Sequence, residues 1–231
     1  MESAVQIPVE GALPVSGVLH APDAEVAPEE TAVILAHGAG NDMTNPLLAA
    51  ACRQLAESGF PALRFNFPYK DAGKKAPDSY ATLVRTWRSA ERFMREESGR
   101  RVDRLVAGGK SMGGRVASQM AAEWLLRADG LLFLGYPLHP PGKKDRLRDA
   151  HLYAIHLPML FFAGTRDPLC DLGQLRGVLG RIETAWTLEI VEGGDHSFKV
   201  PKSAGLSQEA VYDRITQKAC DWVRLLASSH A

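Results

Sequence analysis

The sequence predicts an α/β fold: a mostly parallel sheet entered through an N-terminal hairpin, with helices on both faces and no large cap domain. Three observations predict it. From residue 31 onward, short apolar runs alternate with longer amphipathic patterns of helical period, which is how strands joined by crossover helices read in sequence. Two strand-like segments precede that alternation, with Gly11 between them. Glycine or proline closes most elements, as in Gly59-Phe60-Pro61. The 231 residues, 45% hydrophobic and 23% charged, suit one well-buried core, so residues 1–231 are read as a single domain.

Taken in order, strands are expected at 5–9 and 13–20, followed by a loop rich in proline and acid at 21–30. The parallel strands are expected at 32–37, 61–66, 103–108, 130–134, 159–163 and 186–191, each a short apolar run. Helices are expected at 45–57, 79–97, 112–127, 171–179 and 207–227, where apolar residues recur at spacings of three and four. The stretch 136–156 has no clear period. It holds Pro137, Pro140 and Pro141 and then Lys143-Lys144-Asp145-Arg146, and is read as a small flap over a pocket.

Composition excludes several classes. Lys and Arg number 27, as do Asp and Glu, so the formal charge is zero and no field remains to hold nucleic acid or an acidic membrane. The longest apolar runs, such as 32–36 and 157–163, fall far short of the roughly 20 residues that span a bilayer. An acid at Glu2 and no apolar run after it argue against a signal peptide. Cys52, Cys170 and Cys220 are scattered without CxxC spacing, so neither a disulfide framework nor a zinc site is expected, and a soluble, cytoplasmic protein is.

The chemistry concentrates at Gly109-Lys110-Ser111-Met112-Gly113, a GxSxG string between an expected strand and an expected helix. With 21 glycines in the chain the string alone is weak, and a plain tight turn is the bland alternative. The setting carries the weight. A sharp turn needs small flanking residues and lifts the Ser111 hydroxyl above the sheet. A serine hydroxyl needs a base, and the base a carboxylate to fix its tautomer. Downstream, Gly164-Thr165-Arg166-Asp167 follows one strand and Gly194-Asp195-His196 follows the next, giving the order Ser111, Asp167, His196. Asp195 is the competing carboxylate, but neighbouring side chains on an extended segment point apart. Asp167 could instead cap the helix near Asp171.

Oxyanion donors are expected from the backbone N–H groups of Ala39, in His37-Gly38-Ala39-Gly40, and of Met112 at a helix N-terminus. His37 is expected to brace its loop, while His20, His139, His151, His156 and His230 are read as solvated. Gly38, Lys110, Tyr69, Tyr136 and Phe198 are candidates to contact substrate, with core packing the alternative for the aromatics. Lys110, Arg115, Lys143, Lys144, Arg166 and Lys199 fall in rim segments, which suggests small acidic esters unless they only solvate the surface.

These four segments, in this order, resemble the α/β-hydrolase superfamily over nearly the whole chain. In finer detail the sequence is similar to the small dienelactone-hydrolase-like branch, and especially to the testis-expressed and chromatin-complex-associated α/β-hydrolase-like family. The words carrying that are His37-Gly38-Ala39-Gly40 with Met43 and Pro46, then Arg64-Phe65-Asn66-Phe67-Pro68-Tyr69, and Gly108-Gly109-Lys110-Ser111-Met112-Gly113-Gly114-Arg115. The resemblance implies the α/β-hydrolase fold with an eight-stranded sheet and a Ser-Asp-His triad. Dienelactone hydrolases proper use cysteine where this chain has Ser111, so their substrate does not transfer. The segment 135–158 is too short for the helical cap of many lipases. Serine at the elbow disfavours dehalogenase and epoxide hydrolase chemistry, which places aspartate there.

The expected activity is cleavage of a small carboxylic ester or thioester through an acyl-enzyme on Ser111, with no metal or cofactor. Two other readings use the same sequence: a scaffold that keeps the fold and works through protein partners, and acyl transfer to an acceptor other than water.

Overall fold

The structure, a computed structural model, describes residues 1–23 and 30–228. The greater part of the loop expected at 21–30, and His230, lie outside the described residues. Strands β1 (Glu2–Ile7) and β2 (Val15–His20) pair antiparallel from Glu2 opposite His20 to Ile7 opposite Val15. The hairpin ends sooner than its apolar pattern because Pro8 has no N–H for the ladder. The chain reverses at Gly11, which has a φ of 66°.

Six further strands follow: β3 (Thr31–Ala36), β4 (Ala62–Phe65), β5 (Arg104–Lys110), β6 (Gly130–Leu134), β7 (Met159–Gly164) and β8 (Trp186–Val191). They form one sheet in the order β1-β2-β4-β3-β5-β6-β7-β8, antiparallel through β1, β2 and β4 and parallel from β4 to β8. The eight-stranded, mostly parallel α/β-hydrolase sheet implied by the sequence is therefore present.

Both faces are covered, which is why the central strands read as unbroken apolar runs. Ile34, Ala107, Phe133 and Phe161 face α3 (Tyr80–Arg92), α4 (Met112–Ala122) and α5 (Leu172–Leu179). Leu35, Val106, Leu132 and Phe162 face α1 (Pro46–Glu57) and α6 (Gln208–Ser228). Trp87 of α3 packs edge-on against Phe65 of β4 with ring centroids 5.3 Å apart, pinning that helix to the sheet.

Side-chain caps fix where helices start. Asn45 accepts from the N–H groups of Leu47 and Leu48 ahead of Pro46, and Asp171 accepts from Gly173 and Gln174. Both helices therefore begin one residue after their expected starts. The helix expected at 79–97 is α3 followed by a π-helical turn, Phe93–Glu97. The one expected at 112–127 stops at Ala122, and Trp124 takes a φ of 58°. A short helix α2 (Pro68–Asp71) and the 3-10 turns Ala150–Ala154 and Lys202–Ala204 were not expected.

The segment 135–158 holds one 3-10 turn and no helical cap. It is tied down by Tyr136, whose hydroxyl donates to the Arg148 carbonyl (2.8 Å), and by His139, whose Nε2 accepts from the Asp171 N–H (3.2 Å). Among the described residues no helix is long and apolar enough to cross a membrane.

Candidate active site

The site lies at the carboxyl ends of β3, β5, β7 and β8, where open α/β sheets leave room for ligands. Strand β5 runs to Lys110, and Ser111 turns the chain directly into α4 with φ 51° and ψ −114°. A serine avoids that backbone unless its surroundings force it, and strain of this kind marks functional turns. Gly109 makes the turn possible. It has a φ of 141°, and a Cβ there would run into the Ala36 backbone of β3.

Ser111 Oγ lies 2.9 Å from His196 Nε2, and His196 Nδ1 lies 2.7 Å from Asp167 Oδ2. The Asp167 side chain is 0% exposed and the His196 side chain 19%, so the carboxylate is sealed while the imidazole reaches the opening. With an ionised carboxylate at Nδ1, the imidazole carries its proton there and Nε2 is free to accept from the serine hydroxyl. Asp167 Oδ1 is held by the Leu169 N–H at 2.8 Å. Asp195 is engaged elsewhere: its Oδ1 accepts from the N–H groups of Ser197 (2.7 Å) and Lys199 (3.0 Å), forming the turn that carries His196.

The two loops meet because Gly164 has no side chain. Its Cα sits so close to the other loop that a Cβ would press on the carbonyls of Gly194 and Asp195. The Arg166 N–H donates to the Gly194 carbonyl at 2.9 Å across the same seam.

The loop after β3 lies against the elbow: a Cβ on buried Gly38 would come within 3.2 Å of Ser111 Cβ. Among the described residues, neither the Ala39 N–H nor the Met112 N–H donates a hydrogen bond, and Met112 opens a helix of eleven residues. His37 donates from Nδ1 to the Gly38 carbonyl (2.8 Å) and accepts at Nε2 from the Phe67 N–H (3.1 Å). Burial pushes its pKa down to about 4, so it stays neutral and holds the loop.

The segment Arg64–Tyr69 completes this cradle. Arg64 Nη1 donates to the Met43 carbonyl (2.7 Å), Asn66 Oδ1 accepts from the Met43 N–H (2.8 Å), and the Tyr69 hydroxyl donates to the Ala39 carbonyl (2.9 Å). The sequence reading did not assign this bracing. Its only signal was polar residues standing within an otherwise apolar strand.

A model for an alpha/beta hydrolase domain matches residues 29–224. This chain belongs to the α/β-hydrolase family. Among solved structures, this α/β-hydrolase is similar to a lidless serine hydrolase from Xanthomonas campestris, with a TM-score of 0.76 and 20% identity over 100% of this chain and 97% of the other. It is also similar to a dienelactone hydrolase from Anabaena variabilis, with a TM-score of 0.75 and 19% identity over 97% of both chains. A third is the esterase domain of a Rhodothermus marinus protein, with a TM-score of 0.72 and 15% identity over 97% of this chain and 98% of the other. Identities this low establish a shared fold.

Several expectations about this α/β-hydrolase are corrected by burial. Lys110 is 2% exposed and its Nζ donates to the His196 carbonyl at 2.7 Å, so it lies beneath the site and not on its rim. Tyr69, Tyr136 and Phe198 are also buried and offer no surface to a substrate: the tyrosine hydroxyls brace loops, and Phe198 fills the core on the α6 side. His20 and His139 are buried, and His151 is half-buried with Nε2 2.8 Å from the Ser118 hydroxyl. Of the basic residues expected on the rim, Lys143, Lys144, Arg166 and Lys199 are exposed, and Lys144 pairs with Asp171.

A half-open hollow of about 240 Å³ between β8 and α6 contains no triad residue; Ile190, Val200, Leu206 and Val211 are among its lining. Among the described residues no cluster of three or more His, Cys, Asp or Glu is placed to hold a metal ion.

Proposed function

We propose that this α/β-hydrolase cleaves a small carboxylic ester or thioester through an acyl-enzyme on Ser111. One observation carries the reading: an unbroken chain of 2.9 Å and 2.7 Å contacts from Ser111 through His196 to a sealed Asp167, mounted on a strained elbow.

His196 Nε2 takes the hydroxyl proton as Ser111 Oγ attacks the acyl carbonyl. The Ala39 and Met112 N–H groups receive the developing oxyanion, where each fixed donor contributes roughly 3 kcal/mol to the transition state. His196 then hands its proton to the leaving alcohol or thiol. In the second half it activates water against the acyl-enzyme, and the proton returns to Ser111. Asp167 stays ionised throughout and holds the imidazole in the productive tautomer.

Ser111 as nucleophile separates the protein from dienelactone hydrolases with cysteine in that place, while the lidless architecture suits small, dissolved substrates. Likeness to the esterase domain from Rhodothermus marinus supports ester cleavage at the level of fold. Burial of Lys110 weakens the case for selecting acidic esters, because it removes the basic residue adjoining the nucleophile from the rim.

The test is labelling by a fluorophosphonate probe, intact protein beside Ser111→Ala, followed by p-nitrophenyl esters and thioesters of increasing chain length. Labelling lost in Ser111→Ala, with turnover of the short esters, is the expected result. Faster product release on adding an alcohol or amine would redirect the reading to acyl transfer. No labelling of folded protein would overturn it in favour of a scaffold.

A further inference from the structure

We propose that Lys110 is a positioning residue for the hydrolase described above: its ammonium group ties the His196 main chain to the nucleophile elbow. This rests on the triad reading and extends it to a residue that touches no substrate.

Two consecutive residues of the elbow grip the same histidine. Ser111 Oγ meets the imidazole at Nε2, and Lys110 Nζ meets the carbonyl of His196 at 2.7 Å. Lysine is almost never buried without a partner, yet Lys110 is 2% exposed and, among the described residues, has no carboxylate within ion-pair distance. Its neighbours are the His196 carbonyl and the Phe198 ring, 5.9 Å from Nζ. An apolar side chain would fill this volume without the desolvation of a cation. Burial pushes the Lys110 pKa down to about 8, against the charges of Asp167 and Asp195, which favour the ammonium form.

The histidine loop has a second reason to need an anchor. It turns tightly through Asp195, with Phe198 at a φ of 59°, and stands as an extension beyond the edge strand β8. Lys110 adds to the two triad contacts a direct hold on the His196 main chain, beside the Asp195 turn and the Arg166 bond to the Gly194 carbonyl that support the rest of the loop.

The test compares wild type with Lys110→Met, which keeps the aliphatic stem and removes the ammonium. The readouts are the low-field proton NMR signal of the His196 Nδ1–H, the rate of fluorophosphonate labelling, and the thermal melt. That signal is assigned by its loss in His196→Ala and its retention in Ser111→Ala. Expected are a cooperative melt, a shifted or broadened Nδ1–H signal, and labelling slowed about 30- to 100-fold, the scale of a misplaced catalytic group. In a His196→Ala background the same substitution should slow labelling less than about 3-fold, because the two residues act through one another.

A folded Lys110→Met with an unmoved signal and wild-type labelling would overturn the proposal, as would an equal loss in both backgrounds. If Lys110→Met does not fold, Lys110→Gln takes its place under the same criteria. If wild type is not labelled, the hydrolase reading fails, and the NMR comparison still decides whether Lys110 places His196.

Discussion

Substituting Gly164 by alanine should uncouple the triad without touching the nucleophile. A Cβ at Gly164 would lie 2.6 Å from the Gly194 carbonyl carbon and 2.8 Å from the Asp195 carbonyl oxygen, against an ordinary contact of about 3.5 Å. Relief requires the Asp167 loop and the His196 loop to part by roughly 1 Å. The 2.7 Å bond between His196 and Asp167 then stretches past the limit of a useful hydrogen bond. A shift of that size costs about 100-fold in kcat, while KM changes little because Ser111 and the loop at Ala39 stay in place. Overpacking also costs about 1–3 kcal/mol, which lowers Tm by a few degrees per kcal/mol and leaves the protein folded at 25 °C. Gly177→Ala is the control, since a Cβ there meets nothing within 4 Å and helix α5 should gain up to about 1 kcal/mol. The assay is p-nitrophenyl ester kinetics with a thermal melt for each variant. A Gly164→Ala protein with kcat within about 3-fold of wild type would refute the idea that this seam sets the triad.

Asp167→Asn should lower kcat by about 10⁴-fold through the wrong histidine tautomer, while Asp195→Asn, altering only a turn, costs less than about 10-fold; the reverse ranking in ester kinetics would transfer the acid's role to Asp195. Tyr69→Phe leaves the Ala39 carbonyl without its partner, so urea unfolding should show a loss of about 1–3 kcal/mol and kcat a fall of about 10-fold, and unchanged values for both would sink the bracing role. Burial holds His20, His37 and His151 at about 4, down from 6.5. Between those values the unfolded chain binds protons at these sites and the native protein does not, so stability is full above pH 6.5 and is lost as pH falls toward 4. The slope is up to about 1.4 kcal/mol per pH unit for each histidine, and urea midpoints that stay flat from pH 7 to 4.5 would contradict it.

The central strands were legible because they are buried on both faces and bounded by turn residues: β6 falls where its apolar run does and β7 begins where its own does. Boundaries slipped where backbone chemistry overrode pattern. Leu126 continues the apolar period of α4 and is buried, yet the chain has already left the helix at Trp124. Ser111, His196 and Asp167 could be picked out from local strings, since each follows its own strand, and the structure brings the three into contact. Their supports could not. Lys110, Tyr69 and His139 are residue types that default to surfaces or ligand contact, and only the tertiary structure supplies the carbonyl or N–H that each one meets.

The parts of the site arrive at very different times along the chain. Residues 37–39 and 109–112 belong to β3, β5 and their crossovers, whereas Asp167 and His196 hang from β7 and β8. During synthesis Ser111 therefore leaves the ribosome long before His196, and under the proposed mechanism it stays chemically silent until the last third of the protein has emerged and docked. Under that mechanism, probe labelling of Ser111 would count finished molecules, since nascent, truncated or half-docked chains carry the serine without His196 beside it.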